Sequence, residues 1–246
     1  MGDVIRLNFN RGGFAGHTVE NLMRQAAVLK CSRYERPDSS FSSKFGDLPH
    51  LPESAGWPIC SGCGQPLTFI AQFNLPQLGL EAVDNCDLAL FFYCFGCRPF
   101  WDRDGRGFFA GFYGADPLEK LLPEKKMFID KSGQAPHVCR VSAVMRNDYP
   151  QASGARDLLV LDDAAAEEYL SRYQVIRSSK LGGWPAWKRL PDAPVCRHCG
   201  SEMLFFAQIA SGEAHGLHFD GEGTLYLFRC AKTCRNDAFS LVIQDE

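Results

Sequence analysis

The feature that most constrains this chain is an internal duplication. The segment SSKFGDLPHLPESAGWPICSGCGQPLTFIAQFN from Ser42 aligns without a gap on SSKLGGWPAWKRLPDAPVCRHCGSEMLFFAQIA from Ser178, at a constant offset of 136 residues. Twelve of the 33 positions are identical, among them Lys44/Lys180, Gly46/Gly182, Pro49/Pro185, Cys60/Cys196, Cys63/Cys199, Gly64/Gly200, Phe69/Phe205, Ala71/Ala207 and Gln72/Gln208. The same offset carries Cys94 onto Cys230, and only the fourth cysteine slips, Cys97 against Cys234, by one residue. A match that joins a turn, a cysteine pair, a strand and a distant cysteine is the mark of duplication rather than of two independently acquired cysteine pairs.

The repeat divides the chain into an N-terminal extension (1–40) with one helix, repeat 1 (41–100), an inserted connector (101–177) and repeat 2 (178–246). Val19 to Lys30 places Leu22, Met23, Ala26, Ala27 and Leu29 at helical spacing behind Thr18 as a cap, and Val4 to Phe9 alternates weakly as an edge strand. Leu67–Leu75, Leu88–Phe95, Met203–Ile209, Thr224–Arg229 and Ala238–Ile243 are apolar, aromatic-rich runs of strand length. In the connector, Phe108–Tyr113 and Val138–Met145 read as strands, and Asp162/Asp163 open an Ala/Glu-rich helix through Tyr173 whose acidic first turn suits the helix dipole. The expected fold class is α+β, mostly β: two duplicated small sheets, each with a Cys₄ zinc site, plus short helices.

Tetrahedral zinc takes four ligands, and a Cys-x-x-Cys turn supplies two thiolates from one tight loop. Cys60-Ser-Gly-Cys63 and Cys94-Phe-Gly-Cys97 form one candidate set; Cys196-Arg-His-Cys199 and Cys230-Ala-Lys-Thr-Cys234 form the other. The 30 intervening residues hold a strand, a loop and a returning strand, which bring the pairs together. Two structural zinc ions are expected, against the alternative of cysteines that are merely buried. A redox role is disfavoured because each Cys-x-x-Cys has a second pair and none opens a helix in a βαβ unit. A catalytic zinc is disfavoured because four thiolates leave no position for water. Cys31, Cys86 and Cys139 have no cysteine counterparts across the repeat and read as buried or surface thiols. His215 and His218 fall opposite Gly79 and Ala82, which excludes a duplicated ligand role and makes them loop residues; His198, between two cysteines, is expected to face solvent.

The chain carries 26 basic and 29 acidic residues, a net charge of −3, so no long-range field draws it onto nucleic acid or an anionic membrane. No apolar run approaches the roughly 18 residues of a membrane span, and neither a signal-peptide core nor a myristoylation signal follows Met1. A cytoplasmic protein is expected, and eleven cysteines in a reducing compartment argue against a disulfide framework.

The pattern Ser-Lys-Phe/Leu-Gly-x-x-Pro, then Cys-x-x-Cys-Gly, then Phe-x-Ala-Gln, then a strand running into a second cysteine pair, resembles the YwqG-like family. It is also similar to the zinc-bearing domains of the programmed-cell-death-protein-two family. The resemblance covers residues 42–97 and 178–246 well and the connector poorly. It implies a duplicated β-rich fold with protein-binding duties and no established catalysis. Eukaryotic relatives act as chaperones of a small-subunit ribosomal protein, and bacterial relatives occur beside polymorphic or type VI-secreted toxins as immunity proteins. This chain lacks the extra finger insertion of some eukaryotic relatives, which favours a bacterial setting. The expectation of zinc rests on the cysteine spacing here, since many bacterial members lack these cysteines.

No nucleophile elbow, P-loop, dinucleotide fingerprint or HExxH motif is present, and no carboxylate pair recurs across the repeat. The expectation is therefore no catalytic residue and a stoichiometric protein partner, first a toxin met by an immunity protein, second a basic client met by a chaperone, with an unrecognised enzyme as the remaining alternative. Two segments are candidates for the contact surface. One is the aromatic and charged stretch with Trp101, Asp102, Arg103, Phe108 and Phe109, equally readable as an ordinary hairpin. The other is the acidic stretch with Asp157, Asp162, Asp163, Glu167 and Glu168, also readable as a solvated helix face. Trp57, Trp184 and Trp187, on the approach to each cysteine pair, read as core.

Overall fold

The structure is a computed structural model that describes residues 19–33, 35–97, 106–114, 120–130, 133–151, 154–155, 163–212, 214–219 and 221–245. Among these residues the strands are β1 (Arg24–Ser32), β2 (Lys44–Phe45), β3 (Thr68–Asn74), β4 (Leu88–Tyr93), β5 (Phe108–Tyr113), β6 (Cys139–Asp148), β7 (Lys180–Gly182), β8 (Met203–Ala210), β9 (Thr224–Cys230) and β10 (Phe239–Gln244). The helices α1 (Val19–Leu22) and α2 (Asp163–Arg172) accompany them, with 3₁₀ turns at Pro76–Leu78 and Glu124–Lys126.

All ten strands join one sheet in the order β10-β9-β8-β7-β1-β6-β2-β3-β4-β5. The expectation of two separate small sheets is corrected by the central pair. β1 precedes repeat 1 in the chain yet pairs with β7 of repeat 2, while β6 precedes repeat 2 yet pairs with β2 of repeat 1. β1 and β6 then pair antiparallel from Arg24↔Asp148 to Ser32↔Arg140 and fuse the halves into one ladder. The outer strands curl toward each other: the Phe112 N–H donates to Asn236 O at 3.2 Å, and the Phe112 and Phe239 rings sit 5.0 Å apart. The sheet thereby approaches a barrel around one core drawn from both halves, including Phe45, Phe73, Phe91, Phe206 and Leu227.

The expected helix over 19–30 is also corrected: only Val19–Leu22 is helical, and Arg24–Ser32 is a strand. Ala26, Ala27, Val28 and Leu29 are consecutively buried, as in a central strand covered on both faces. An apolar run of this length fits either period, and here the pairing partners on both sides decide. Val4–Phe9 and Thr18 lie outside the described residues.

The two halves share detail well beyond strand order. β2 meets β3 at Lys44↔Gln72 and Phe45↔Ala71, and β7 meets β8 at Lys180↔Gln208 and Leu181↔Ala207. Each Phe-x-Ala-Gln carries a bulge at x, between Phe69 and Ala71 and between Phe205 and Ala207. The buried glutamine after each bulge satisfies backbone groups that no strand covers. Gln72 accepts the His50 N–H and donates to the carbonyls of Ser40 and Ser42. Gln208 accepts the Ala186 N–H and donates to Ile176, Arg177 and Ser178. The hydroxyls of Ser43 and Ser179 likewise accept the N–H groups of Asn74 and Ala210.

The symmetry breaks at the two buried lysines. Lys180 donates to Asp148 Oδ2 and to Ile176 O, both at 2.6 Å, with both charged side chains fully buried. Asp148 also accepts the N–H groups of Ile176 and Trp184. Lys44 is as buried, but its ammonium has only Ser40 O at 3.5 Å, and among the described residues no carboxylate lies within ion-pair distance. Burial lowers its pKa and the more distant Asp47 raises it. Asp47 stands where repeat 2 has Gly183, and a Cβ on Gly183 would fall 2.2 Å from Asp148 Oδ2. A turn side chain and Asp148 therefore exclude each other, and the counter-charge moved from the turn to the strand.

The two lysines should respond differently to removal. Lys180→Met strands the Asp148 carboxylate and is expected to cost about 3–5 kcal/mol in a urea titration. Lys44→Met removes a buried, poorly partnered ammonium and is expected to change stability by less than about 1 kcal/mol in either direction. Equal losses at both positions would contradict the asymmetry.

Candidate metal centres

Each cysteine set is built by two local devices. The first Cys-x-x-Cys turn follows an isolated bridge, Ile59↔Pro66 in one half and Val195↔Glu202 in the other. Within it, the Gly64 and Gly200 N–H groups donate to Cys60 O and Cys196 O at 2.8 Å, while the Cys60 and Cys196 N–H groups donate to Gln65 O and Ser201 O. Gly64 and Gly200 have φ of 73° and 67° with open space where a Cβ would lie, so backbone conformation alone selects glycine after each second cysteine.

The second turn leaves β4 or β9. In the first half the Cys97 N–H points at Cys94 Sγ at 3.3 Å. In the second half the extra residue that causes the slip is absorbed at Thr233, which takes φ of 43°, with its N–H on Cys230 O. The fourth sulfur returns to the same place despite the insertion.

The eight thiols make two clusters in which all four Sγ atoms lie within 4.8 Å of one another. The sulfur contacts are Cys60–Cys97 and Cys63–Cys94 at 3.6 Å, Cys196–Cys234 at 3.6 Å and Cys199–Cys230 at 3.5 Å. None is a disulfide. An ion about 2.3 Å from each of four tetrahedral sulfurs holds them roughly 3.8 Å apart. Both clusters are therefore geometrically compatible with a structural zinc site, and their soft donor set suits that ion. In each, the first cysteine of both pairs is buried and the second is exposed.

The electrostatics point the same way. The Gln65 N–H pulls the Cys63 thiol down to about 7, and the Ser201 hydroxyl and N–H pull Cys199 down to about 6. Cys97, hydrogen-bonded to Cys60, Cys63 and Cys94, is pushed up to about 12. One thiolate forms readily and the last is opposed by its neighbours, a burden that a bound cation relieves.

Each cluster caps a small apolar core distinct from the shared one. Leu51, Leu67, Phe69, Leu90 and Phe92 back Cys60 and Cys94; Trp187, Met203, Phe205, Tyr226 and Phe228 back Cys196 and Cys230. Trp57 packs edge-on against Phe92, Trp187 stacks on Phe228, and the Trp184 ring lies under Arg24. A family model, "Domain of unknown function (DUF1963)", matches residues 43–244, from the strand before the first knuckle to the last strand. The chain belongs to the DUF1963 family. It is also 39% identical over 62 residues to the uncharacterized protein YpfL of Salmonella typhimurium (strain LT2), an alignment that spans 25% of this chain and 14% of that protein. The chain thus covers far less than two thirds of that relative.

Other expected site residues of this DUF1963 chain are scattered. Phe108 is buried in the shared core, and Phe109 packs against the core of the first cluster. Asp163, Glu167 and Glu168 are exposed on α2, and Glu168 pairs with Arg172. Trp101, Asp102, Arg103, Asp157 and Asp162 lie outside the described residues. Cys139 is buried and its thiol is lowered by a hydrogen bond with Cys31 across β1 and β6; Cys86 is half-buried. No helix among the described residues is long and apolar enough to cross a membrane. Sequence reading missed the work of Gln72 and Gln208, although their recurrence in the repeat was the available signal.

His215 is fully buried, its ring 4.4 Å from that of Phe45, and its Nδ1 accepts the Leu217 N–H at 3.1 Å. Burial, with His218 and His137 nearby, lowers its pKa to about 4. The folded state then favours the neutral ring, so this contribution is present above pH 6.5 and is lost as pH falls toward 4. An NMR titration of the His215 ring is expected to give a midpoint near 4; a midpoint at or above 6.5 would contradict the burial.

Proposed function

We propose that this chain is a non-enzymatic, zinc-stabilised protein-binding protein, in a bacterial setting an immunity protein that neutralises a cognate toxin by forming a stoichiometric complex. The observation that carries the reading is the closure of both cysteine clusters. Four sulfurs at zinc-like spacing leave no open coordination position for water or substrate. Of the polar residues that recur across the repeat, Gln72/Gln208 and Ser43/Ser179 spend hydrogen bonds on backbone groups, and Lys44/Lys180 are buried, Lys180 against Asp148. What was duplicated is scaffold. The bacterial setting is supported by the Salmonella relative, and protein binding by the resemblance to the YwqG-like family. The exposed acids of α2, Asp163, Glu167 and Glu168, are the described part of the proposed contact surface.

Zinc, when bound, would be held by Cys60, Cys63, Cys94 and Cys97 and by Cys196, Cys199, Cys230 and Cys234, and would fix the paired turns. Elemental analysis of protein purified without chelators or metal-affinity resin is expected to give two zinc ions per chain. Cys60→Ser should leave one and lower the melting temperature, because binding at such sites is coupled to folding by about 10 kcal/mol or more. A content near zero in the unaltered protein would overturn the zinc reading.

The partner is to be sought in the gene neighbourhood. Co-expression with an adjacent toxin gene is expected to rescue growth only when this protein is present in at least equal amount, and the complex should survive gel filtration. Charge reversal at Glu167 and Glu168 should weaken it. Rescue at strongly substoichiometric levels, or turnover of a small substrate by the isolated protein, would contradict stoichiometric binding.

A further inference from the structure

Three cysteines stand outside the two metal clusters, and two of them meet. Cys31 lies on β1 and Cys139 on β6, the strands whose pairing joins the halves. Their side chains are hydrogen-bonded to each other across the ladder, on the face that packs against the shared core. We propose that Cys31 and Cys139 form an oxidation site, a dithiol that a peroxide converts into a disulfide bracing the β1–β6 pairing. The inference is independent of the partner reading above.

The register of the ladder brings the two thiols together. The Leu29 and Val141 N–H groups donate away from the β1–β6 seam, to Ser179 O and Ser43 O at 2.9 Å. Odd-numbered residues of β1 thus turn their backbone groups away from β6, which makes Cys31↔Val141 a non-hydrogen-bonded pair, the kind in which facing side chains come closest. Cys139 is two residues from Val141, on the same face of the sheet and diagonal to Cys31. In a flat ladder a diagonal step is long for a disulfide. Here the side chains already share a hydrogen bond, and the pair stands at the end of the ladder, whose last rung is Ser32↔Arg140. Strand ends draw together there with the least loss of pairing.

The duplication supplies an internal control. Val28 faces Lys180 as Arg140 faces Lys44, so β1 and β6 are equivalent strands, matched residue by residue from that point. The counterpart of Cys139 is then Ala27, and that of Cys31 is Ala143. Ala27 and Cys139 are both fully buried in the shared core, and Ala143 and Cys31 are both half-buried against it. One diagonal is therefore filled by two alanines and its twin by two cysteines. The fold accepts alanine at both places of the twin, so volume alone does not select a matched pair of thiols.

Exposure divides the chemistry between the two thiols. Cys31 is half-buried and within reach of a small oxidant, whereas Cys139 is fully buried. The Cys31 thiolate attacks one oxygen of hydrogen peroxide: an S–O bond forms, the O–O bond breaks, and the departing hydroxide leaves as water with the thiol proton, giving a sulfenic acid. The Cys139 thiolate then attacks that sulfur: the S–S bond forms, the S–O bond breaks, and the second oxygen leaves as water with the proton of Cys139. Two thiols lose two electrons and two protons, and the peroxide becomes two waters. Cys139 suits the second step, because the hydrogen bond with Cys31, helped by the Phe45 N–H, holds its thiol below the ordinary range against the opposing effect of burial. The bridge closes residues 31–139 into one loop containing the whole first repeat, and so long a loop takes freedom from the unfolded chain.

Graded hydrogen peroxide on the full-length protein, followed by alkylation and peptide mapping by mass spectrometry without reduction, tests this. The expected product is a linked pair of peptides carrying Cys31 and Cys139, two hydrogens lighter than the dithiol form. Its appearance should raise the urea midpoint, and a phosphine reductant should reverse the change. Cys31→Ala and Cys139→Ala, each copying the residue at its twin position, should abolish both the product and the rise, while Cys86→Ala should leave both. The urea midpoint of each variant before oxidation establishes that it is folded, and the map of the unaltered protein decides the linkage by itself. Oxidation of Cys31 to a sulfinic acid, a bridge from Cys31 to any other cysteine, or an unmodified Cys31 at doses that oxidise Cys86 would overturn the site. A Cys31–Cys139 bridge that leaves the midpoint unchanged or lowers it would overturn the bracing role.

Discussion

The antiparallel pairing of β1 with β6 is the interaction on which the rest of the structure depends. Val28 lies opposite Lys180 as Arg140 lies opposite Lys44, so the two central strands occupy equivalent places in the two halves. Their own pairing respects the same symmetry: Val28 meets Val144 and Ser32 meets Arg140, which places a pseudo-twofold axis at the Lys30↔Ser142 pair. Each strand completes the half that it does not precede. Neither half is therefore a closed folding unit, and the shared core, the curled sheet and the meeting of its outer strands all follow from this exchange.

Sequence patterning revealed the outer strands because they are long, aromatic-rich and bounded by cysteine turns. It revealed the cysteine sets because spacing within a turn is a local property, and the insertion at Thr233 shifted one ligand in sequence without moving it from its cluster. Of the two central strands, β6 was legible as the run Val138–Met145, whereas β1 was hidden for a physical reason. β1 is buried on both faces, so Ala26, Ala27, Val28 and Leu29 carry no period-two alternation to separate strand from helix. β2 and β7 are two and three residues long and exist through their partners. Sheet continuity was equally illegible, because the repeat offset describes each half and is silent on the strands that lie outside it.

The two small cores behind the cysteine clusters show how copies drift while keeping volume. Leu51 and Leu90 in one become Trp187 and Tyr226 in the other, and Trp57, from a different point in the chain, lays its indole against Phe92 where Trp187 covers Phe228. Charge at the buried lysines is compensated unequally. Repeat 1 carries Asp47 in the turn near Lys44, whereas Lys180 of repeat 2 pairs with Asp148 of β6, and Gly183 stands where a turn side chain would collide with that carboxylate. Such exchanges are what close packing and the cost of buried charge require. They preserve the scaffold and carry no functional message.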